Sequence, residues 1–198
     1  MQEFEGRTAV VTGAASGIGA ALARHCASEG MAVVLADVDE SGLEALRKEL
    51  DEGGTRCLVQ KTDVSRSEAV EALAERAFAE LGGVHLLFNN AGVVVSGLSW
   101  ERSEEDYQWV LGVNLWGVIH GIRAFVPRLL EQDEPAHIVN TASIAGLSAG
   151  PMLGPYTVSK HGVVGLTETL HHELALVGSG IRVSCLCPGG VATGIMQA

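Results

Sequence analysis

Short apolar runs rich in β-branched residues alternate along this chain with longer segments of helical periodicity. The strand-like runs cover residues 8–12, 32–36, 56–60, 85–89, 137–141 and 182–187. Most of them carry apolar residues on both faces, as parallel strands do when helices cover each side of the sheet. Strands that alternate with helices form right-handed βαβ units. We therefore predict an α/β fold in three αβα layers around a doubly wound parallel sheet, built as one domain over residues 1–198.

Several helices have recognisable starts or faces. Capping boxes are predicted at Ser41–Glu44 and Ser65–Glu68, where the serine and the glutamate would satisfy each other's free amides. After Ser65 the apolar residues recur at helical spacing, which predicts a helix with one buried face. These residues are Val70, Leu73, Ala74, Ala77, Phe78 and Leu81.

Two other predicted helices, 107–130 and 156–177, carry apolar residues around their whole circumference. A helix that is apolar on every side must be covered on every side. One side of each helix meets the sheet, and the other is expected to meet the same helices of a second subunit. The pattern predicts a homodimer or homotetramer.

The last strand-like run, 182–187, would be an unpaired apolar edge if the polypeptide stopped at Ala198, and proteins normally cover such edges. We expect the natural polypeptide to continue and to add at least one more strand, so that the usual domain lacks its C-terminal part here.

Composition excludes several classes of function. The formal net charge of −11, from 24 acidic against 13 basic residues, argues against nucleic acid binding. No apolar stretch is expected to reach the ~20 residues of a membrane span, and the first residues contain no apolar signal region. The four cysteines include no C-x-x-C pair, so we expect reduced thiols and a cytoplasmic location. Cys185 and Cys187 share one strand face at a spacing poorly suited to a disulfide. Because the histidines are scattered, no metal site is predicted.

The stretch VVTGAASGIGAAL places Gly13, Gly17 and Gly19 between the first strand and the first helix. Glycines allow positive φ and let a pyrophosphate approach the backbone, and the helix start directs free amides at the anion. At the end of the second strand stands Asp37, where a carboxylate can accept hydrogen bonds from ribose hydroxyls and repel a 2′-phosphate. No Arg or Lys occurs within the loop, so NAD is preferred over NADP. Alternatively, Asp37 only caps the turn into the next helix.

Tyr156 and Lys160 stand at positions i and i+4 and therefore neighbour each other on one helix face. A tyrosine with an ordinary pKa near ~10 is a poor base at neutral pH, whereas a nearby ammonium stabilises the phenolate.

Together with further motifs, this pair resembles the short-chain dehydrogenase/reductase superfamily in its single-domain form, along nearly the whole chain. The matching motifs are T-G-x-x-x-G-I-G at 12–19, Asp63-Val64, N-N-A-G at 89–92, Asn114, Ser143, Tyr156-x-x-x-Lys160, and Pro188-Gly189 with Thr193. The fold implied by this resemblance is the Rossmann fold.

The resemblance also implies catalytic roles. Tyr156 would be the general acid/base, and Ser143 would hydrogen-bond the substrate oxygen. Lys160 would stabilise the phenolate and bind the nicotinamide ribose. Asn114 would hold a water that connects Lys160 to solvent; alternatively, Asn114 has a purely structural role.

The resemblance further implies a set of residues that contact the cofactor. They are Gly13, Ser16, Gly17, Ile18, Gly19, Asp37, Asp63, Val64, Asn90, Ala91, Gly92, Tyr156, Lys160, Pro188, Gly189, Val191 and Thr193. For Asn89 and Asn90 an alternative stays open, in which they chiefly fix the end of their strand.

We therefore predict an NAD-dependent oxidoreductase that transfers hydride between the nicotinamide and a secondary alcohol or ketone. The segments expected to line its pocket contain no Lys or Arg, which favours an uncharged substrate. Val94, Trp100, Met152 and Leu153 favour an apolar one. GLSAG at 146–150 matches a nucleophile elbow, but no helix is expected directly after its serine. The alternative from another class is a non-catalytic NAD(H)-binding redox sensor on the same fold.

Overall fold

Six parallel strands form one sheet in the computed structural model, which describes residues 3–191 and Ile195. The strands are β1 (Thr8–Thr12), β2 (Ala32–Asp37), β3 (Cys57–Lys61), β4 (Leu86–Asn89), β5 (His137–Thr141) and β6 (Arg182–Leu186). Their spatial order is β3-β2-β1-β4-β5-β6, and every neighbouring pair is parallel. This order confirms the doubly wound α/β prediction, and each strand begins and ends within one residue of its predicted position.

Helices cover both faces of the sheet. They are α1 (Gly17–Ser28), α2 (Glu40–Glu52), α3 (Ser67–Leu81), α4 (Glu104–Leu111), α5 (Gly117–Gln132) and α6 (Gly154–Leu176). The alternation along β1 shows the two layers: Ala9 and Val11 pack with α1 and α2, whereas Val10 packs with α3, α5 and α6. The helix predicted to have one buried face is α3, and its apolar residues pack in the same layer as Val10.

Both predicted capping boxes are wrong for one physical reason. In each case an aspartate two residues before the serine accepts both the backbone N–H and the hydroxyl of that serine. Asp39 Oδ1 lies 3.0 Å from Ser41 N and 2.6 Å from its Oγ. Asp63 Oδ1 repeats both distances with Ser65. Such local turns compete with helix capping, so neither serine is an N-cap.

The helix starts therefore shift. Helix α2 begins at Glu40 with Asp39 as its N-cap, and α3 begins at Ser67. A complete capping box does occur at the start of α4, where Ser103 and Asp106 each accept the other's backbone N–H.

The predicted helix 107–130 consists of α4, a π-helical segment (Gly112–Trp116) and α5. Within the described residues, the continuous run Glu104–Gln132 is long and apolar enough to match a membrane span by length and composition. The prediction that no apolar stretch reaches the length of a membrane span is therefore wrong. The core helix of a globular domain meets the same criteria, and here Val118, Phe125 and Leu129 are buried in the fold.

Strand β6 pairs with β5 and has no second neighbour among the described residues. It alternates half-buried and exposed positions, whereas β1 is buried throughout. The position of β6 at the edge of the sheet agrees with the sequence prediction.

Candidate active site

A cleft of about 520 Å³ opens at the carboxyl ends of the strands. The cleft lies between the ends of β1 and β4, where the order of the strands along the chain reverses direction. Ligands of open α/β sheets bind at such a topological switch point. Every predicted cofactor residue from Gly13 to Val191 lines this cleft, as does Ser143. Thr193 lies outside the described residues. One cleft thus brings together residues that are far apart in the sequence.

The glycine loop is folded tightly onto itself and onto the end of β4. Gly13 and Gly17 have φ values of +68° and +52°, which side chains rarely tolerate. A Cβ on Gly19 would lie 2.0 Å from the Gly13 carbonyl oxygen, so this position has no room for a side chain.

The first turn of α1 is arranged to receive an anion. Helix α1 starts at Gly17 at the edge of the cleft, and its N-cap, Ser16, makes no side-chain capping hydrogen bond. The free amides of that turn and the positive end of the helix dipole therefore remain for a negatively charged group. A pyrophosphate fits this arrangement.

Asp37 combines a structural contact with a place in the cleft. Its Oδ2 accepts the Ala15 N–H at 3.0 Å, and its Oδ1 accepts the Asp39 N–H at 3.1 Å. The carboxylate thus holds the glycine loop against β2 and accepts a hydrogen bond from the turn that leads into α2, as the turn-capping alternative predicts. It also lines the cleft, where a ribose could reach it. In the described part of the chain, Lys160 is the one basic side chain among the lining residues.

Thr12 connects the central strands beneath the loop. Its Oγ1 accepts the N–H groups of Asn90 at 2.9 Å and Ala91 at 3.2 Å. The Asn90 amide donates to the Thr12 carbonyl and accepts the Thr141 hydroxyl. Thr12 belongs to the glycine motif at 12–19, but its role was not predicted. Its cross-strand contacts depend on the register of the sheet, for which the sequence has no signal.

The contacts of Asn89 and Asn90 correspond to the alternative in which both fix the end of β4. Asn89 is buried, does not line the cleft, and donates to Asn140 Oδ1 at 2.9 Å. Asn90 makes the strand-end contacts described above and also lines the cleft.

Tyr156 and Lys160 face the cleft together from the first turns of α6. The Lys160 Nζ lies 5.6 Å from the centroid of the Tyr156 ring. Only 2% of Lys160 is exposed, and its Nζ donates to the Thr141 carbonyl at 2.8 Å. Burial lowers the pKa of Lys160 from 10.5 to about 8. A buried ammonium beside a phenol ring provides the electrostatic setting that a tyrosine base requires.

Ser143 is buried at the end of β5, where it caps a short 3₁₀ segment (Ile144–Gly146). Its Oγ accepts the Ala145 N–H at 3.1 Å. This contact uses a lone pair and leaves the hydroxyl hydrogen free to donate into the cleft.

Asn114 lies in the π-helical segment, fully buried and outside the cleft lining. Its amide exchanges two hydrogen bonds with the Val93 backbone, at 2.8 and 2.9 Å, and donates to Ser159 Oγ at 3.0 Å. Ser159 in turn donates to the Tyr156 carbonyl at 2.6 Å. These contacts match a structural role that positions the first turn of α6; the water-relay role stays a prediction.

The apolar residues expected to contact substrate are placed differently from the prediction. Val94, Trp100, Met152 and Leu153 lie outside the cleft lining, and Trp100 and Met152 are exposed. The two segments that carry them are joined to each other, because the Gly97 N–H donates to the Met152 carbonyl at 2.9 Å. The apolar lining comes instead from other residues, among them Val93, Trp109 and Val113.

The fold and the position of this cleft are typical of nucleotide-binding α/β proteins, and comparison with known proteins identifies the family. The family model described as short chain dehydrogenase matches residues 7–198, and the chain belongs to this family.

Two relatives and one solved structure show how close the similarity is. The chain is 43% identical to 1-deoxy-11-beta-hydroxypentalenate dehydrogenase of Streptomyces exfoliatus, over 96% of this chain and 70% of that protein. It is 39% identical to 3beta-hydroxysteroid dehydrogenase 2 of Eggerthella lenta, over 96% of this chain and 73% of that protein. A short chain dehydrogenase/reductase from Burkholderia phymatum, crystallised in complex with NAD, is 52% identical with a TM-score of 0.99, over 100% of this chain and 70% of that one.

Proposed function

We propose that this protein is an NAD-dependent oxidoreductase that interconverts a secondary alcohol and a ketone, with Tyr156 as the general acid/base. The observation that carries the proposal is the placement of Tyr156, Lys160 and Ser143 in the same cleft as the glycine loop and Asp37. Phosphate-binding and proton-transfer groups thus converge on one space. The named relatives are dehydrogenases of hydroxyl compounds, which supports this reaction class.

The cleft residues fit NAD. The first turn of α1 would hold the pyrophosphate, Asp37 the adenosine ribose, and Lys160 the nicotinamide ribose. Bound NAD supplies the acceptor for the hydrogen that leaves the substrate carbon. The complex of the Burkholderia phymatum protein with NAD supports this choice of cofactor.

The proton chemistry belongs to the chain's own residues. In the oxidation direction Tyr156 takes the proton of the substrate hydroxyl, and in reduction it returns one. Ser143 donates its free hydroxyl hydrogen to the same substrate oxygen and stabilises the charge that develops there. The Lys160 ammonium, held by the Thr141 carbonyl, favours the phenolate form of the tyrosine.

The lining of the cleft favours an uncharged, largely apolar substrate. Lys160 is the one basic side chain in the described lining, and its nitrogen already contacts the Thr141 carbonyl. A substrate carboxylate would therefore lack a free counter-charge in the described lining. The relative named for a hydroxysteroid matches this preference, whereas the name hydroxypentalenate denotes a carboxylate.

A substrate screen tests the proposal. Hydroxysteroids, cyclic secondary alcohols and 2-hydroxy acids are supplied with NAD, and formation of NADH is followed by its absorbance. We expect turnover with neutral secondary alcohols and little with 2-hydroxy acids. Binding of NAD without turnover of any compound would favour the redox sensor instead.

Asp37→Asn should shift the cofactor preference. The variant keeps an acceptor for the Ala15 N–H but loses the negative charge that repels a 2′-phosphate. We expect the ratio of kcat/KM for NAD over NADP to fall at least about tenfold. A tenfold change corresponds to about 1.4 kcal/mol, less than the repulsion of about 4 kcal/mol between two like charges ~4 Å apart near a protein surface. Thermal unfolding serves as the control for the loop contacts. An unchanged ratio would remove Asp37 from cofactor selection.

We further propose that the protein assembles as a homodimer or homotetramer through helices 107–130 and 156–177. Large apolar side chains remain exposed on these helices, including Trp116 and Val158, which are 52% and 54% exposed. Light scattering at micromolar protein should report two or four subunits, and Trp116→Lys should reduce that number. Trp100→Lys, which changes an exposed tryptophan outside these helices, should leave assembly intact. A monomeric parent protein would contradict the proposal.

A further inference from the structure

Trp109 is the largest of the described side chains that line the cleft, and neither the sequence motifs nor the proposed proton chemistry uses it. It lies in α4, one helical turn before Val113, which lines the same cleft. Its neighbour Val110 is fully buried, whereas Trp109 is 44% exposed. Among the described lining residues only Trp109 and Tyr156 are aromatic. The indole therefore borders the cleft and is only partly covered by the protein.

Contacts of the turn between β3 and α3 show which end of the cleft Trp109 borders. A Cβ on Gly112 would lie 3.5 Å from Ser65 Cβ. His120 Nδ1 lies 2.9 Å from the Val64 carbonyl oxygen. The helical run that carries Trp109 thus packs directly on Val64 and Ser65, which also line the cleft. This places Trp109 at the end of the cleft beside β3.

The opposite side of α4 faces the catalytic helix. The Tyr107 hydroxyl would lie 3.1 Å from a Cβ on Gly154, the first residue of α6. Residues two positions apart in an α-helix point about 200° apart around its axis. Trp109 therefore points away from α6 and from the Tyr156–Lys160 pair.

NAD bound as proposed above would place its adenine at this same end. The first turn of α1 would hold the pyrophosphate, Lys160 the nicotinamide ribose and Asp37 the adenosine ribose. The adenine then lies beyond Asp37, on the side away from Lys160. The described residues that line this part of the cleft come from the ends of β2 and β3 and from the helical run opposite them. They are Val38, Thr62, Asp63, Val64, Ser65, Trp109 and Val113.

We propose that Trp109 stacks its indole on the adenine of NAD and covers the outer side of the cleft there. This inference rests on the proposed function, because it takes NAD as the cofactor. Adenine is a flat, uncharged aromatic ring, and nucleobases stack favourably on aromatic side chains. A bound adenine would also remove from water the apolar indole surface that is now exposed. Trp109 is thus a further residue that positions the cofactor.

ADP-ribose is the probe, because it contains the adenine but lacks the nicotinamide and so needs no turnover. Its affinity for the full chain is measured by calorimetry. Trp109→Ala should weaken binding at least about fivefold, the lower end of what one stacked base contributes. Trp109→Phe, which keeps an aromatic ring, should recover most of that loss, whereas Trp109→Leu should not. Trp100→Ala, an exposed tryptophan outside the cleft lining, should leave the affinity unchanged.

Two results with these variants would overturn the proposal. The first is an unchanged affinity for ADP-ribose in Trp109→Ala, including the case in which only the number of subunits changes, since Trp109 also lies within the helix proposed for assembly. The second is full recovery by Trp109→Leu, which would show that apolar bulk is sufficient without an aromatic ring.

Footprinting of the unmutated protein gives a test that does not depend on folding of the variants. Oxidation of tryptophans by hydroxyl radicals, with and without ADP-ribose, is read by peptide mass spectrometry. ADP-ribose should protect Trp109 and leave the oxidation of Trp100 unchanged. A chain that binds NAD and ADP-ribose without protection of Trp109 would overturn this inference alone. A chain that binds neither compound would overturn the proposed function as well.

Discussion

Tyr156→Phe is expected to lower kcat by about 10³-fold or more while NAD affinity stays almost unchanged. The substitution removes only the hydroxyl, and with it the group that takes and returns the substrate proton; general acid–base catalysis contributes about 10²–10⁴-fold. The phenyl ring stays in the cleft beside Lys160, so the cofactor should still bind. Steady-state turnover and calorimetric titration with NAD measure the two effects separately.

The second tyrosine of the chain provides the matched control. Tyr107 lies in α4 outside the cleft lining, and its hydroxyl lies 3.4 Å from the Ser99 carbonyl. Tyr107→Phe should retain kcat within a factor of about two, because the half-buried Tyr107 does not line the cleft. If Tyr156→Phe retained turnover, or if both variants lost it equally, the role of Tyr156 would be wrong.

Lys160→Met should lower turnover at least about 100-fold and yet leave the protein without cofactor no less stable near neutral pH. Turnover falls because the phenolate loses its neighbouring ammonium. Stability does not fall because Lys160 is 2% exposed and its charge is costly to bury. Loss of the hydrogen bond to the Thr141 carbonyl offsets part of that gain. Urea unfolding and turnover are measured on the same preparations.

The pH dependence of stability distinguishes this explanation from general damage. The pKa of Lys160 is about 8 in the folded protein and 10.5 ordinarily, so between these values the unfolded chain binds more protons. The free energy of unfolding therefore rises with pH across this window, by about 3 kcal/mol in all. Lys160→Met should remove this contribution, and Lys48→Met, on an exposed face of α2, should retain it. A variant with the same pH slope as the parent protein would contradict the buried charge.

The strands could be predicted closely because their signal is local and strong. Val10, Val33 and Val34 belong to apolar runs that only a sheet covered on both faces can bury. The helix starts could not be predicted as closely, because Asp39 binds Ser41 and Asp63 binds Ser65 in local turns that compete with the predicted caps. The choice between turn and cap depends on small energy differences.

In the candidate site, too, features set by local spacing could be predicted, whereas contacts between distant strands could not. The glycine loop and the Tyr156–Lys160 pair follow from spacing along one loop or helix, so the sequence could place them. The contact of Lys160 with Thr141 and the links made by Thr12 depend on strand register, for which the sequence has no local signal. Met152 was misplaced because its segment pairs with Gly97 rather than facing the cleft.

Direct transfer of hydrogen from substrate to cofactor in this cleft is the central claim, and an isotope label tests it. A secondary alcohol that carries deuterium on its carbinol carbon is incubated with NAD and the protein. The mass of the reduced cofactor is then measured by mass spectrometry. The account predicts one deuterium in each reduced cofactor, with formation abolished by Tyr156→Phe. Reduced cofactor without deuterium, or undiminished formation in that variant, would contradict it.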